Sequence, residues 1–218
     1  MRPALDSPVV ALDIDGTMGD YHGHFTRFIE QWTGRPMPDP AAMTGGVPFY
    51  KHLGVSKATY RQAKLAYRQG GLKRSMPVYD GVGEFTRYVR RQGAQVWICT
   101  TRPYLRLDNI DPDTRHWLVK RAKAQYDGIL FGQYKYRDLV RAVGRERVLV
   151  VYDDLPELIE QALSLGLRAM LRRQPYNEQY ERSGNWGRVD SVEGMQSVFD
   201  YELKEWRNRD HVTRRRRT

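Results

Sequence analysis

The chain has 218 residues, with 36 Lys and Arg against 26 Asp and Glu, for a net charge of +10. That length suits one domain of ordinary size, or one domain with a sizeable insertion, and it needs no cross-links to bury a core; the single cysteine, Cys99 in the apolar run V-W-I-C, reads as a buried inert thiol in a reducing compartment. No apolar leader opens the chain and no uncharged apolar stretch approaches bilayer length, so a soluble, cytoplasmic protein with no membrane partner is expected, and its basic charge favours phosphate-bearing partners of any size.

The first element is P-V-V-A-L-D-I-D-G-T, residues 8–17, an apolar run that ends in two aspartates followed by Gly16 and Thr17. This is the pattern of a buried parallel strand that stops at a polar site. Strand alternation would send Asp13 and Asp15 to the same side and Ile14 into packing, and two close carboxylates call for a cation or a shared proton. A calcium loop is disfavoured, because Thr17, Met18 and His24 stand where that loop wants Asp or Asn, the turn glycine and the bidentate Glu. An ordinary Asp-Gly turn is the bland alternative.

A helix is predicted over Phe25–Thr33, stopped by Gly34, and the four prolines between Arg35 and Pro48 exclude regular structure there. Ser56 caps a second helix that runs to about Gln69 and closes at Gly70-Gly71. The rhythm then becomes regular. A helix over Gly81–Gln92 leads to a strand over Gln95–Thr100, a helix over Asp113–Gln125 and a strand over Gly128–Phe131. A helix over Tyr136–Val143, a strand over Arg147–Tyr152, a helix over Pro156–Leu165, a strand over Leu167–Leu171 and a last helix over Val192–Trp206 complete the series.

Strands alternating with helices imply an α/β fold, a doubly wound parallel Rossmann-like sheet, with a helical insertion after the first strand. Residues 1–17 and 81–207 would form the core, 18–80 a cap, and 208–218 a disordered tail whose Arg214–Arg217 run could make weak nucleic-acid contact. Parallel strands place all their carboxyl ends on one edge, where ligands bind. Asp13 and Asp15, then Thr100, Thr101 and Arg102, then Asp153 and Asp154 all fall at such ends.

Taken together these residues resemble the haloacid dehalogenase-like phosphohydrolases. D-I-D-G-T matches the first motif of that family, W-I-C-T the second, Lys135 in F-G-Q-Y-K-Y-R-D the basic third, and V-L-V-V-Y-D-D the acidic fourth, in the family's order across residues 8–172. The resemblance implies a phosphatase in which Asp13 is the nucleophile and Asp15 a general acid and base with a suitably raised pKa. It implies Mg2+ held by Asp13, the Asp15 backbone carbonyl and the Asp153/Asp154 pair, with Thr100, Thr101, Arg102 and Lys135 on the phosphate. The insertion, and I-C-T followed by a proline, are similar to the deoxyribonucleotidase-like branch. A small phosphorylated substrate, a nucleotide, would then be stacked by cap aromatics such as Tyr21, Phe49 and Tyr50, with Phe25 assigned to packing and Tyr67 open to either role. That branch's aromatic cluster near Gly70-Gly71-Leu72 is replaced here by Lys73-Arg74. T-T-R-P with D-T-R-H-W-L also looks like the phosphatase half of polynucleotide kinase-phosphatases, which would make the substrate a nucleic-acid 3′-phosphate and give Arg102 a bidentate phosphate contact. A binding module that grips nucleic acid with its basic tail is the non-enzyme alternative.

Overall fold

A computed structural model describes residues 6–103, 107–181 and 186–215 of the chain, with side chains described as far as residue 209. Six parallel strands form one sheet in the order β3-β2-β1-β4-β5-β6. They are β1 (Val9–Leu12), β2 (Gln95–Thr100), β3 (Gly128–Phe131), β4 (Val148–Asp153), β5 (Ala169–Arg172) and β6 (Trp186–Val189). The helices are α1 (Tyr21–Thr33), α2 (Phe49–His52), α3 (Lys57–Gln69), α4 (Val82–Arg91), α5 (Ile110–His116), α6 (Lys135–Val143), α7 (Pro156–Ser164) and α8 (Val192–Arg215).

The four residues of β1 are fully buried because helices cover both faces of the sheet. Val10 and Leu12 pack with Val96, Ile98, Val150 and Tyr152 beneath α4 and α8, through Phe85, Val89, Met195 and Phe199. Val9 and Ala11 point the other way, to Cys99 and Val151, beneath α6 and α7 through Leu139, Leu158 and Ile159. Each such aliphatic side chain contributes about 1.5–3 kcal/mol of burial free energy. The chain leaves β1 for β2 and β3 on one side and returns to β4 on the other. The β1/β4 boundary is therefore the switch point of the sheet, and its register, Leu12 beside Tyr152, brings the ends of these two strands together.

Residues 18–80 do not build a separate core. Met18, Phe25, Ile29, Tyr67 and Met76 join the same apolar cluster as β1. The pin is Trp117, fully buried, whose indole N–H donates to the Met76 carbonyl at 2.7 Å.

Several elements differ from the sequence reading for identifiable reasons. Helix α1 starts at Tyr21 because Asp20 caps it, its carboxylate accepting the Gly23 N–H at 2.8 Å. Pro112 lies inside the first turn of α5 rather than before it, and the helix changes at Trp117 to a wider π-helical turn, Trp117–Arg121, so the single helix expected over 113–125 is two pieces. Strand β6 has the composition W-G-R-V and pairs only with β5, so it lacks the apolar run that marks a buried strand. Helix α8 extends past Trp206, where the last helix was expected to end, to Arg215. Among the described residues no helix is long and apolar enough to cross a membrane.

Replacing Trp117 by Ala empties a fully buried site and leaves the Met76 carbonyl without its donor. The expected loss is about 3–5 kcal/mol of unfolding free energy, measured by urea titration of the two proteins.

Candidate active site

Two charge clusters meet at the carboxyl ends of β1, β2 and β4. In the first, oxygens of Asp13, Asp153 and Asp154 all lie within 4.8 Å of one another. Lys135, the first residue of α6, enters this cluster with its ammonium 2.5 Å from Asp13 Oδ1 and 2.6 Å from Asp153 Oδ2. It is completely buried, and an isolated ammonium could not remain charged there. Burial pushes its pKa down, but Asp13 and Asp153 outweigh burial and hold it above the usual lysine range.

Three buried carboxylates against one lysine leave an excess of negative charge. Burial, then Asp153 and Asp15, raise the Asp13 pKa to about 7 in spite of Lys135. The Asp154 carboxyl is raised as well, by burial and then by Asp153 and Asp13. Asp153 also accepts the Tyr136 hydroxyl and, at 3.0 Å, the Leu155 N–H. Asp154 accepts the Tyr176 hydroxyl and, at 3.4 Å, that of Thr17. The donors offered to a cation are all carboxylate oxygens, which fits a hard divalent ion such as Mg2+. Cys99 is no competitor, because burial raises its thiol pKa to about 12.

Gly16 makes the approach of the β1 loop possible. Its φ of +91° is left-handed, and a Cβ there would run into the Asp154 carboxylate and the Tyr176 hydroxyl. Gln174 ties the same loop down, its amide donating to the Gly16 carbonyl at 2.7 Å.

The second cluster is centred on Asp15, whose side chain is a quarter exposed. Beyond Leu12 the chain is no longer a strand, so alternation does not govern the two aspartates, and their carboxylates engage different partners. Arg102 binds Asp15 through two nitrogens, Nη2 to Oδ1 at 2.6 Å and Nε to Oδ2 at 3.4 Å, and Lys73 pairs with the same Oδ2. Arg102 is steadied by Thr114 Oγ1 at 3.1 Å and by the Trp117 ring. Lys73 sits over the Tyr21 ring, 3.9 Å from its centroid. Burial alone would raise the Asp15 pKa, but Arg102 and then Lys73 hold it far below the usual carboxylate range. This corrects the expectation of a raised pKa at Asp15, and the reason is the pair of cations. For Lys73 burial prevails over Asp15 and lowers the pKa to about 7.

Of the remaining sequence-identified residues, Thr100 is buried at the end of β2, its hydroxyl accepting the Arg102 N–H at 3.4 Å, and Thr101 follows it partly exposed. Arg102 was expected to bind phosphate and here binds a carboxylate with the same fork. Tyr21 is buried, whereas Phe49 and Tyr50 are partly exposed. Tyr21 packs on Phe25 and Tyr67, Phe49 on His22, Phe25 and Tyr60, and Tyr50 on Tyr60. Sequence reasoning did not single out Lys73, Tyr136 or Tyr176 as site residues. For Tyr176 a signal existed, since Q-P-Y-N follows β5 at the same sheet edge that identified the aspartates. Two clefts flank the clusters. One, of about 470 Å³, runs past His22, Thr26, Tyr79, Gln174 and Tyr176; the other, of about 240 Å³, lies between Arg61, Lys64, Leu65 and Arg68 of α3 and Pro103 and Leu107.

No protein-family model matches this chain, and no curated protein matches it. Solved structures do. CbbY from Rhodobacter sphaeroides, solved in complex with phosphate, superposes with a TM-score of 0.61 at 18% identity over 89% of this chain and 99% of that one. A haloacid dehalogenase (HAD) family hydrolase from Deinococcus radiodurans R1, with bound phosphate and sodium, gives 0.62 at 15% over 91% and 97%. A haloacid dehalogenase-like family hydrolase from Streptococcus pneumoniae gives 0.57 at 14% over 90% and 100%. At these identities the likeness is one of fold, and the fold is the α/β architecture expected from the sequence.

Two outcomes follow from the geometry. In metal-free protein the contribution of Asp13 to stability falls as pH rises from about 4 to about 7, because the folded state holds a proton there that the unfolded state releases at lower pH. Thermal unfolding of wild type and Asp13→Asn across that range should show the wild type losing stability relative to the variant as pH increases. Gly16→Ala should cost about 1–3 kcal/mol of unfolding free energy through its strained φ alone, with the collision at Asp154 and Tyr176 adding to that loss in a urea titration.

Proposed function

We propose that the chain is a Mg2+-dependent phosphomonoesterase that hydrolyses a small phosphate ester through an aspartyl-phosphate on Asp13. The observation that carries this reading is the convergence of Asp13, Asp153, Asp154 and Lys135 at the switch point of the sheet, with β1, α6 and β4 each supplying part of it. Asp13, Asp153 and Asp154 would hold the ion, joined by the Asp15 backbone carbonyl. Bound there, the ion would offset the repulsion between the carboxylates and an incoming phosphate dianion.

In the proposed reaction an Asp13 oxygen attacks phosphorus, the ester P–O bond breaks, and the leaving oxygen takes a proton from Asp15. Water then attacks the phosphorus of the acyl phosphate, gives its proton to Asp15, and frees phosphate and the Asp13 carboxylate. Lys135 would balance charge on Asp13 and the phosphoryl oxygens, and the Thr100 hydroxyl would bond one of those oxygens. Asp15 can play its part only when its ion pairs are loosened, so the substrate must compete for Arg102 and Lys73. Residues 18–80 would act as the cap, with Lys73 as the group that closes over the centre. Enclosure under a buried lysine favours a small ester over a polymer end. Tyr21, buried against Phe25 and Tyr67, offers no face to the base of a nucleoside monophosphate.

Phosphate release from p-nitrophenyl phosphate is expected with Mg2+ and is expected to stop with EDTA. Asp13→Asn, which keeps the side-chain size and removes the nucleophile, should lose about a thousandfold or more of kcat while retaining its circular dichroism spectrum. Metal-independent turnover, or an active Asp13→Asn, would overturn the reading.

A further inference from the structure

The Asp15 cluster is charged out of balance. Lys73 and Arg102 are each almost fully buried, and they share a single carboxylate. Lys73 and Arg102 bring more N–H donors to this point than the one Asp15 carboxylate can accept, so an anion placed between them would be stabilised. The neighbouring acids do not fill it. Asp113 is engaged by Arg74 at 3.7 Å and by the Asn109 amide at 2.7 Å, and Asp20 caps α1 and faces Arg27. The metal-side carboxylates are taken by Lys135, Tyr136 and Tyr176.

The imbalance extends into the cap. Lys64 and Arg68 lie one turn apart on α3 and line the cleft of about 240 Å³ beside Pro103, directly after Arg102 in the chain. Among the described residues no carboxylate pairs with either. The Lys64 ammonium instead lies against Tyr60, 5.3 Å from its ring centroid and 3.4 Å from its hydroxyl. Both are close enough to Asp15 or Lys73 for their charge to be felt there. Among the described residues, Lys73 and Arg102 on Asp15 and Lys64 and Arg68 along the neighbouring cleft therefore present basic groups on this side, while the acidic centre lies on the other.

We propose that the leaving group of the substrate carries a second anionic group, a carboxylate or another phosphate, received by Arg102 and Lys73 with Lys64 and Arg68 behind them. This rests on the phosphatase reading and names the class of ester that it takes. Arg102 already shows the fork geometry that a carboxylate or phosphate needs, because it applies it to Asp15. The second anion displaces Asp15 from that fork and is gripped from the cap by Lys73, so that cap and core close on the same charge. An ester with a neutral leaving group competes for Arg102 and Lys73 through its one phosphate only and is held more weakly.

The test separates recognition from turnover. Binding of glycerol 3-phosphate, 3-phosphoglycerate and propane-1,3-diol bisphosphate to Asp13→Asn is measured by calorimetry with Mg2+ present. At least one of the two esters with a second anion is expected to bind about tenfold or more tightly than glycerol 3-phosphate, and which of them does so distinguishes carboxylate from phosphate. Adding Lys73→Met should bring the ratio toward one, and adding Lys64→Met, on a partly exposed turn of α3, should lower it without disturbing the buried pair. Equal binding of all three esters, or a ratio that neither variant changes, overturns the inference. Turnover by the wild type tests the underlying reading independently. Hydrolysis of all three at similar kcat/KM, with equal binding, keeps the phosphatase and removes the second anion; a clear binding ratio without phosphate release from any ester keeps the anion site and removes the phosphatase.

Discussion

Lys135 is the group on which the rest of the site depends. A fully buried ammonium can exist only among carboxylates, and Asp13 and Asp153 come from strands separated by most of the chain. Their meeting requires β1 and β4 to be neighbours in the register that sets Leu12 beside Tyr152, and it requires α6 to begin at the level of the strand ends. Sheet order, register and helix start are thus constrained together by one lysine. The carboxylates still outnumber it, and their oxygens lie close enough together that they could hold a metal ion.

The second cluster has the opposite sign, and the two are separated by only the Asp13-Ile14-Asp15 step. Ile14 is buried between them as the apolar spacer, so one aspartate reaches toward α6 and the other toward the cap. Negative excess on one side and positive excess on the other suit an ester whose phosphate goes to the first and whose remaining charge goes to the second. The aromatic body of the cap contributes support more than recognition. Tyr21 seats Lys73, Trp117 seats Arg102 and joins the cap to the core, and the other rings pack on one another around Phe25.

Most of the framework is legible in the sequence. The apolar runs V-V-A-L and V-L-V-V-Y, each ending in aspartate, specify buried parallel strands with acids at their carboxyl ends, since backbone pairing and burial on two faces leave few other uses for such runs. The same rule found Thr100 and Arg102. It does not reach β6, whose W-G-R-V pattern has no periodic signal at a sheet edge, whereas Q-P-Y-N after β5 obeys it, with Tyr176 donating to Asp154. Periodicity does not register a π-helical turn, so it predicts one helix over 113–125 where the structure has two pieces.

What the sequence by itself determined is the set of acids, their order and the sheet edge they share, because strand periodicity and parallel crossover act locally and repeat along the chain. What only the tertiary structure decided is how those acids are partitioned. Whether Asp15 joins the metal-side cluster or is drawn to Arg102 and Lys73 depends on a lysine 58 residues away, brought in by a cap whose packing has no counterpart in the local pattern around it. The pKa direction of Asp15 follows from that contact and reverses the expectation from its motif alone. Long-range charge pairing is a property of the folded arrangement, and no spacing within D-I-D-G-T contains it.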